Sequence, residues 1–297
     1  MKVAFVGLGV MGAPMAGHLA AAGHEVAVYN RTPEKAAAWA GRYGGRVAAT
    51  PAEAASGADV ACLCVGANDD VRAVAYGADG VLAGLARGAV LVDHTTASAD
   101  LAREVGEAAA PAGIGFVDAP VSGGQAGAEA GRLSVMCGGD PAHVDAARPV
   151  LDAYAAVVTH AGPVGHGQLT KMVNQILCAA AIAGAAEALA FAEAQGLDGE
   201  RTLAAVTGGA ANSWYLENRG ATMLRDEFDF GFAADWMHKD LRICLDAAAQ
   251  AGAALPVTER AERDYAAAHE RGEGRLDATV TIRQRRAELG GPSGQAG

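Results

Sequence analysis

A chain of 297 residues, 51% hydrophobic and 19% charged, carries enough apolar material for one large domain or two ordinary ones. Its formal net charge of −11 excludes the broad basic surface that nucleic-acid binding requires. The five cysteines, Cys62, Cys64, Cys137, Cys178 and Cys244, are odd in number and lack metal-ligand spacing. No disulfide scaffold or metal site is therefore expected, and a reduced, cytoplasmic setting is.

Residues 2–6 (KVAFV) are short, apolar and rich in β-formers, as in a buried parallel strand. With Lys2 ahead of an apolar run the start has the look of a leader. A helix and a second strand follow at once, so it is taken as the first strand of the fold. Gly7-Leu8-Gly9-Val10-Met11-Gly12 comes next, ahead of a helical run over 13–22 and a second strand over 25–29. In this strand–turn–helix setting G-x-G-x-x-G is a dinucleotide fingerprint. Gly7 permits the tight turn, Gly9 lets a pyrophosphate reach the backbone, and Gly12 lets helix and strand pack closely. The second strand ends in Tyr29-Asn30-Arg31-Thr32. The acidic residue that receives the ribose hydroxyls of NAD is absent there. Arg31 and Thr32 can donate to a 2′-phosphate, so NADP(H) is the expected cofactor, with NAD(H) still possible.

Strands over 59–65, 89–93 and 115–118 alternate with helical segments over 69–76 and 98–110, the pattern of a parallel, doubly wound α/β sheet. The loops after Val65 (with Gly66) and after Asp93 (with Thr95 and Thr96) lie at carboxyl ends of strands, where such sheets bind ligands. Ser122-Gly123-Gly124 offers a hydroxyl and freely oriented N–H groups suited to a carboxylate. Residues 133–137 and 155–159 complete the strands of the first domain.

From Gly162 to Gly196 the chain runs without proline and is apolar almost all round, predicting one long buried helix over about 167–195. Glu187 interrupts the apolar run and argues against a membrane span. Lys171, Asn174 and Gln175 share one face near its start. Only four of the 23 basic residues are lysines: Lys2, Lys35, Lys171 and Lys239. A lysine retained among arginines is a hint that an exchangeable proton is needed, which a guanidinium does not supply. Beyond Gly199 only helices are expected, over 200–206, 213–224, 234–251 and 257–271. Trp214, Tyr215, Phe228, Phe230, Phe232 and Trp236 are expected to serve mainly in core and subunit packing, with Trp236 near a pocket.

Four motifs stand in order: GLGVMGAPMA at 7–16, DAPVSGG at 118–124, GHGQLTKMVNQ at 165–175 and FAADWMHKDL at 232–241. Together they closely resemble the β-hydroxyacid dehydrogenase family, which includes 3-hydroxyisobutyrate dehydrogenases and semialdehyde reductases. The resemblance implies a Rossmann-type domain (1–162) and an all-α domain (163–290) joined by the long interdomain helix; the Gly-rich run at 291–297 is itself expected to be a disordered tail. It also implies a homodimer or homotetramer acting on a small carboxylate-bearing substrate, without nucleic acid or membrane. By motif position, Lys171 matches the family's catalytic lysine and Asn174 the amide of its K-x-x-N. Ser122, Gly123 and Gly124 match the loop that holds the substrate carboxylate. Thr96 matches a threonine near the nicotinamide, and Lys239 and Asp240 a pair that closes over cofactor and substrate.

Three departures bear on the substrate: His94-Thr95-Thr96 after Asp93, Gly66 in place of a usual proline, and Gln175 in place of a second asparagine. The expected chemistry is hydride transfer with Lys171 as general acid/base, Asn174 orienting it or the substrate, and no metal. An imine reductase on the same fold typically carries Asp or Tyr at the position of Lys171. 6-Phosphogluconate dehydrogenase has a histidine within its lysine motif, where this chain has KMVNQ. A non-catalytic nucleotide-binding module of the same family lacks the lysine.

Overall fold

The computed structural model describes residues 1–289, so the expected tail at 291–297 lies outside the described residues. The chain divides into two compact units, Met1–Lys171 and Met172–Gly297. In the first, strands and helices alternate in the order β1 (Lys2–Val6), α1 (Gly12–Ala21), β2 (Glu25–Tyr29), α2 (Pro33–Tyr43), β3 (Arg46–Val47), α3 (Pro51–Ala55), β4 (Val60–Leu63), α4 (Asn68–Ala75), α5 (Val81–Gly84), β5 (Val90–Asp93), α6 (Ala99–Ala109) and β6 (Gly115–Asp118). Then come β7 (Val121–Ser122), α7 (Gly124–Glu129), β8 (Leu133–Gly139), α8 (Pro141–Leu151), β9 (Ala155–Gly162) and the long α9 (His166–Ala194), which passes from the first unit into the second.

The strands form one sheet in the order β3-β2-β1-β4-β5-β6-β8-β7, with β9 also paired to β8. Side-chain alternation explains the double winding. Val3, Phe5, Val60 and Cys62 enter one core, with Met15 and Leu19 of α1. Ala4, Val6, Ala61 and Leu63 enter a second core on the other face, with Leu101 and Val105 of α6. Both faces are covered, so these strands are apolar throughout.

The sheet differs from the parallel one expected. β1 to β6 are parallel, but β8 runs antiparallel to β6 and β7. Residues 123–132, between β7 and β8, are too few for a parallel crossover, and an antiparallel return is the remaining geometry. Six helices are not predicted by the sequence reading: the short α5 and α7, α14 (Ile282–Glu288), and α2, α3 and α8, which share one signal. Each of these last three opens with proline behind Thr32, Thr50 or Asp140. The Thr50 hydroxyl accepts from Glu53 N and the Asp140 carboxylate from Ala142 N. An N-cap residue followed by proline was the available signal.

The second unit holds the later turns of α9 with α10 (Gly199–Thr207), α11 (Trp214–Leu224), α12 (Ala234–Gln250), α13 (Pro256–Glu270) and α14 (Ile282–Glu288). Among the described residues its only strand-like pairing is one bridge, Ala233 to Asp277. α9 is long and apolar enough to cross a membrane by length and composition. Its Ala179, Ile182, Ala186 and Leu189 instead lie in the core of this unit with Met223, Met237, Leu241 and Tyr265. The expected aromatic core is only partly realised. Phe228 is buried, whereas Trp214, Phe230 and Trp236 are exposed on this chain. Trp214 and Phe230 flank the Arg219 guanidinium at 5.1 and 4.7 Å from the ring centroids.

Candidate active site

Strand register aligns the ends of the parallel strands. Val6 pairs with Tyr29 and Leu63, Leu63 with Asp93, and Asp93 with Asp118. The loops carrying Gly7–Gly12, Asn30–Thr32, Val65–Gly66, Thr95–Thr96 and Ser122–Gly124 therefore leave one edge of the sheet. The strand order reverses between β1 and β4, the position where open α/β sheets bind ligands.

The three glycines of the first loop do different work. Gly7 has φ +99°, and a Cβ there would meet Cys64 O at 2.2 Å. A Cβ on Gly12 would lie 2.0 Å from Gly7 O. Both are required by the fold itself. Around Gly9 nothing lies within 4 Å of an added Cβ, so that backbone faces open space ahead of α1. This is a cradle that a side chain would fill, and it fits a pyrophosphate at a helix N-terminus. Asn30 ties the loop after β1 to the loop after β2: its Oδ1 accepts from Leu8 N at 2.9 Å and its Nδ2 donates to Thr32 O at 3.0 Å. Arg31 is exposed and pairs with Asp70 of α4 at 3.1 Å. The loop after β2 has no carboxylate of its own, but α4 brings one. At Val65 the N–H donates to Thr95 Oγ1 at 3.1 Å, joining the loops after β4 and β5.

The loops after β5 and β6 are tied to the first turn of α9. Asp118 Oδ1 accepts from Gly165 N at 2.7 Å, and its Oδ2 accepts from Gln168 N at 2.8 Å. Such close packing needs glycine on both sides. A Cβ on Gly167 would meet Asp118 O at 2.4 Å, and one on Gly138 would meet Gly167 N at 2.6 Å. Gln168 Nε2 donates to Thr95 O at 2.7 Å, and its Oε1 accepts from Ala97 N at 3.0 Å. One turn further on, Lys171 is 7% exposed. Ser122 pairs with Ser134 in the β7–β8 ladder, and Gly123 (φ +129°) and Gly124 (φ +59°) take backbone shapes that favour glycine. Asp118 and Gln168 were missed as site residues in the sequence. The two glycines ahead of Gln168 in the G-H-G-Q run are a signal of close packing, but neither reveals its partners.

His94 is buried between the same loops. Its Nδ1 lies 2.7 Å from Ala119 O and its Nε2 2.8 Å from the Tyr154 hydroxyl. A carbonyl only accepts, so Nδ1 carries the proton and Nε2 accepts from Tyr154. Burial lowers its pKa from 6.5 to about 4. Burial raises the Asp118 carboxyl from 3.8 to about 6, against the backbone N–H groups that favour its ionised form. The two act oppositely on stability. Between about pH 6.5 and 4 the unfolded chain protonates His94 and the folded one does not, so stability falls with pH. Between about pH 6 and 3.8 the folded chain protonates Asp118 first, so stability rises as pH falls. The wild type should therefore show little net dependence from this pair. His94→Gln should gain stability relative to wild type on acidification through that window. The gain should be of the order of 3 kcal/mol, at about 1.36 kcal/mol per pKa unit. Denaturant midpoints of both proteins across that range check it, and parallel curves would contradict it.

In the second unit, Gln175 on α9 and Asp240 on α12 are buried at 4% and 3% exposure. Gln175 Nε2 donates to Asp240 Oδ2 at 2.7 Å, and its Oε1 accepts from Asn174 Nδ2 at 2.8 Å. Asp240 Oδ1 lies 3.2 Å from Lys239 Nζ, which sits 5.5 Å from the Trp236 ring centroid. Five of the expected residues thus form one connected set: Asn174, Gln175, Asp240, Lys239 and Trp236. Among the described residues no group of three His, Cys, Asp or Glu side chains is placed to hold a metal ion.

Comparison with known proteins agrees with this layout. Residues 2–162 match the family model described as the NAD-binding domain of 6-phosphogluconate dehydrogenase. Residues 165–284 match that of the NAD-binding region of NADP-dependent 3-hydroxyisobutyrate dehydrogenase. An uncharacterised oxidoreductase of Shewanella frigidimarina is 55% identical, over 89% of this chain and 91% of its own length. The solved 3-hydroxyisobutyrate dehydrogenase of Mycobacterium tuberculosis with L-serine is 34% identical. It superposes with a TM-score of 0.87 over 96% of this chain and 99% of that one. An imine reductase of Myxococcus stipitatus in complex with NADP+ is 21% identical, with a TM-score of 0.65 over 95% of this chain and 99% of that one, a likeness of fold alone. The chain belongs to the β-hydroxyacid dehydrogenase family and is an NAD(P)-dependent oxidoreductase of the 3-hydroxyisobutyrate dehydrogenase type.

Proposed function

We propose that this chain is an NADP-preferring dehydrogenase or semialdehyde reductase. Its substrates are a small β-hydroxyacid and the corresponding semialdehyde, and Lys171 is the general acid/base. The observation that carries the reading is the placement of Lys171. It is buried on α9, one turn beyond the residues that tie this helix to the ends of β5 and β6. The nicotinamide cofactor, when bound, takes or supplies the hydride. The Gly9 backbone and the N-terminus of α1 hold its pyrophosphate. The Lys171 ammonium gives a proton to the carbonyl oxygen in reduction, and the amine removes one from the hydroxyl in oxidation. General acid–base work of this kind is most effective when the proton affinity of the group lies near the working pH. Ser122 Oγ and the N–H groups of Gly123 and Gly124 bind the substrate carboxylate. Asn174 orients the reacting oxygen. Gln175 and Asp240 hold Lys239, the lysine that the motif assigns to the cofactor.

Support for NADP(H) rests on Arg31 and Thr32. Arg31→Ala should raise KM for NADPH roughly ten- to a hundredfold with little effect on NADH, as for loss of a charge-assisted contact of about 1.5–3 kcal/mol. The exposed Arg31–Asp70 pair is worth at most about 1 kcal/mol, so a phosphate can displace it. Asp70→Asn should accordingly lower KM for NADPH. Steady-state kinetics with both cofactors decides this, and equal kcat/KM for NAD and NADP in the wild type would overturn it.

The same reading has the chain working in the cytoplasm as a homodimer or homotetramer, without nucleic acid or membrane partners. The net charge of −11 supports the exclusion of nucleic acid. A rate panel of small β-hydroxyacids, semialdehydes and cyclic imines with both cofactors tests the function. Turnover confined to cyclic imines would move the assignment to imine reduction.

A further inference from the structure

Gln168 lies on none of the surfaces assigned above to cofactor or substrate, yet it is 1% exposed and makes three hydrogen bonds in two directions. Its backbone N–H donates to Asp118, the last residue of β6 before the segment that leads to Ser122. Its side-chain amide grips the loop after β5 on both sides of Thr96. It donates to the carbonyl of the residue before and accepts from the N–H of the residue after. That loop is in turn joined to the end of β4 through Thr95 Oγ1 and Val65 N, and to β5 through Thr95 N and Asp93 Oδ1. Three residues after Gln168, on the same face of α9, stands Lys171.

We propose that Gln168 is a positioning residue for hydride transfer, because its amide locks the main chain around Thr96 to the helix turn that presents Lys171. The inference rests on the function proposed above. Through Gln168, the loop assigned to the nicotinamide face and the acid/base lysine keep one spacing. A loss of that spacing costs rate in the chemical step even when both ligands still bind. The amide is suited to this, since it pairs one donor and one acceptor with a main-chain carbonyl and N–H two residues apart. An apolar side chain of equal length leaves both main-chain groups buried without partners.

The test uses the full-length enzyme, NADP+ and 3-hydroxyisobutyrate or L-serine, whichever the wild type oxidises faster, with and without deuterium at the hydride-donating carbon. Gln168→Met should lower kcat by roughly 10- to 100-fold. The KM values for substrate and cofactor should stay within about threefold, and the deuterium isotope effect should rise as hydride transfer becomes more rate-limiting. Gln168→Glu adds a readout that a merely structural role would not move. Protonated, its carboxyl can donate to Thr95 O and accept from Ala97 N; ionised, it presents a charge to Thr95 O. Its kcat relative to wild type should therefore recover as pH is lowered, at constant folded fraction measured by circular dichroism. Two results would overturn the inference. One is a kcat within twofold of wild type in Gln168→Met. The other is a loss of kcat that follows the folded fraction with an unchanged isotope effect and no recovery of Gln168→Glu at low pH. Lys171→Ala measured alongside separates the failures. If it is inactive while Gln168→Met is not, only this inference falls; if it turns over like wild type, the proposed function falls first.

Discussion

Lys171→Ala is expected to lower kcat by roughly 10²–10⁴-fold, the usual worth of general acid–base help. The variant should fold, because alanine is the best helix former and Lys171 lies within the continuous helix α9. It should keep its affinity for the cofactor, whose pyrophosphate is assigned to the loop at Gly9. Lys171→Arg should restore little, since a guanidinium stays protonated at any working pH. Turnover with NADPH and a reducible semialdehyde is measured beside cofactor affinity by fluorescence titration. A near wild-type kcat in Lys171→Ala would make Lys171 a packing residue and send the proton-transfer role elsewhere.

The second large effect separates two glycines of one motif. Gly9→Ala should leave the stability of the ligand-free protein within about 0.5 kcal/mol, because an added Cβ meets nothing within 4 Å. Its cofactor affinity should drop by roughly 10²-fold, near 2.7 kcal/mol, because the methyl occupies the space left for the phosphates. Gly12→Ala should do the reverse. Its Cβ would stand 2.0 Å from a main-chain oxygen and 3.0 Å from the Phe5 ring, so the ligand-free fold itself should lose about 3 kcal/mol or more. Urea midpoints and cofactor titrations of the two variants check this. Equal stability losses in both would show that Gly9 serves the fold and not the cofactor.

The fold was legible where a single physical rule governs the residues. β1, β2 and β6 fall at the expected residues because they are apolar, short and punctuated by glycine or polar loops. The long helix lies at His166–Ala194 against an expectation of 167–195, since no proline interrupts that run. The antiparallel β8 was not legible, because strand direction depends on what the intervening residues can span and not on the strand's own pattern. Site residues divide in the same way. Lys171 and the Ser122 loop stand out by type and motif. Asp118 and Gln168 do not, because their roles lie in partners that folding brings from 47 to 73 positions away. Asp70, which answers Arg31 from 39 positions away, was hidden for the same reason. Asn30, beside Arg31 and Thr32 at the end of β2, has partners in Leu8 and Thr32 that the motif alone does not reveal.

Nicotinamide absorbance reads, in one experiment, both hydride movement between NADP and a small β-hydroxyacid and the part of Lys171 in it. The purified wild type and Lys171→Ala are mixed in parallel with NADP+ and a panel that contains 3-hydroxyisobutyrate and L-serine. The expected result is NADPH formation by the wild type with at least one β-hydroxyacid, lost in Lys171→Ala while both proteins bind cofactor equally. The contradicting result is a wild type that binds NADP+ and reduces none of it across the panel, or a Lys171→Ala variant that reduces it as fast.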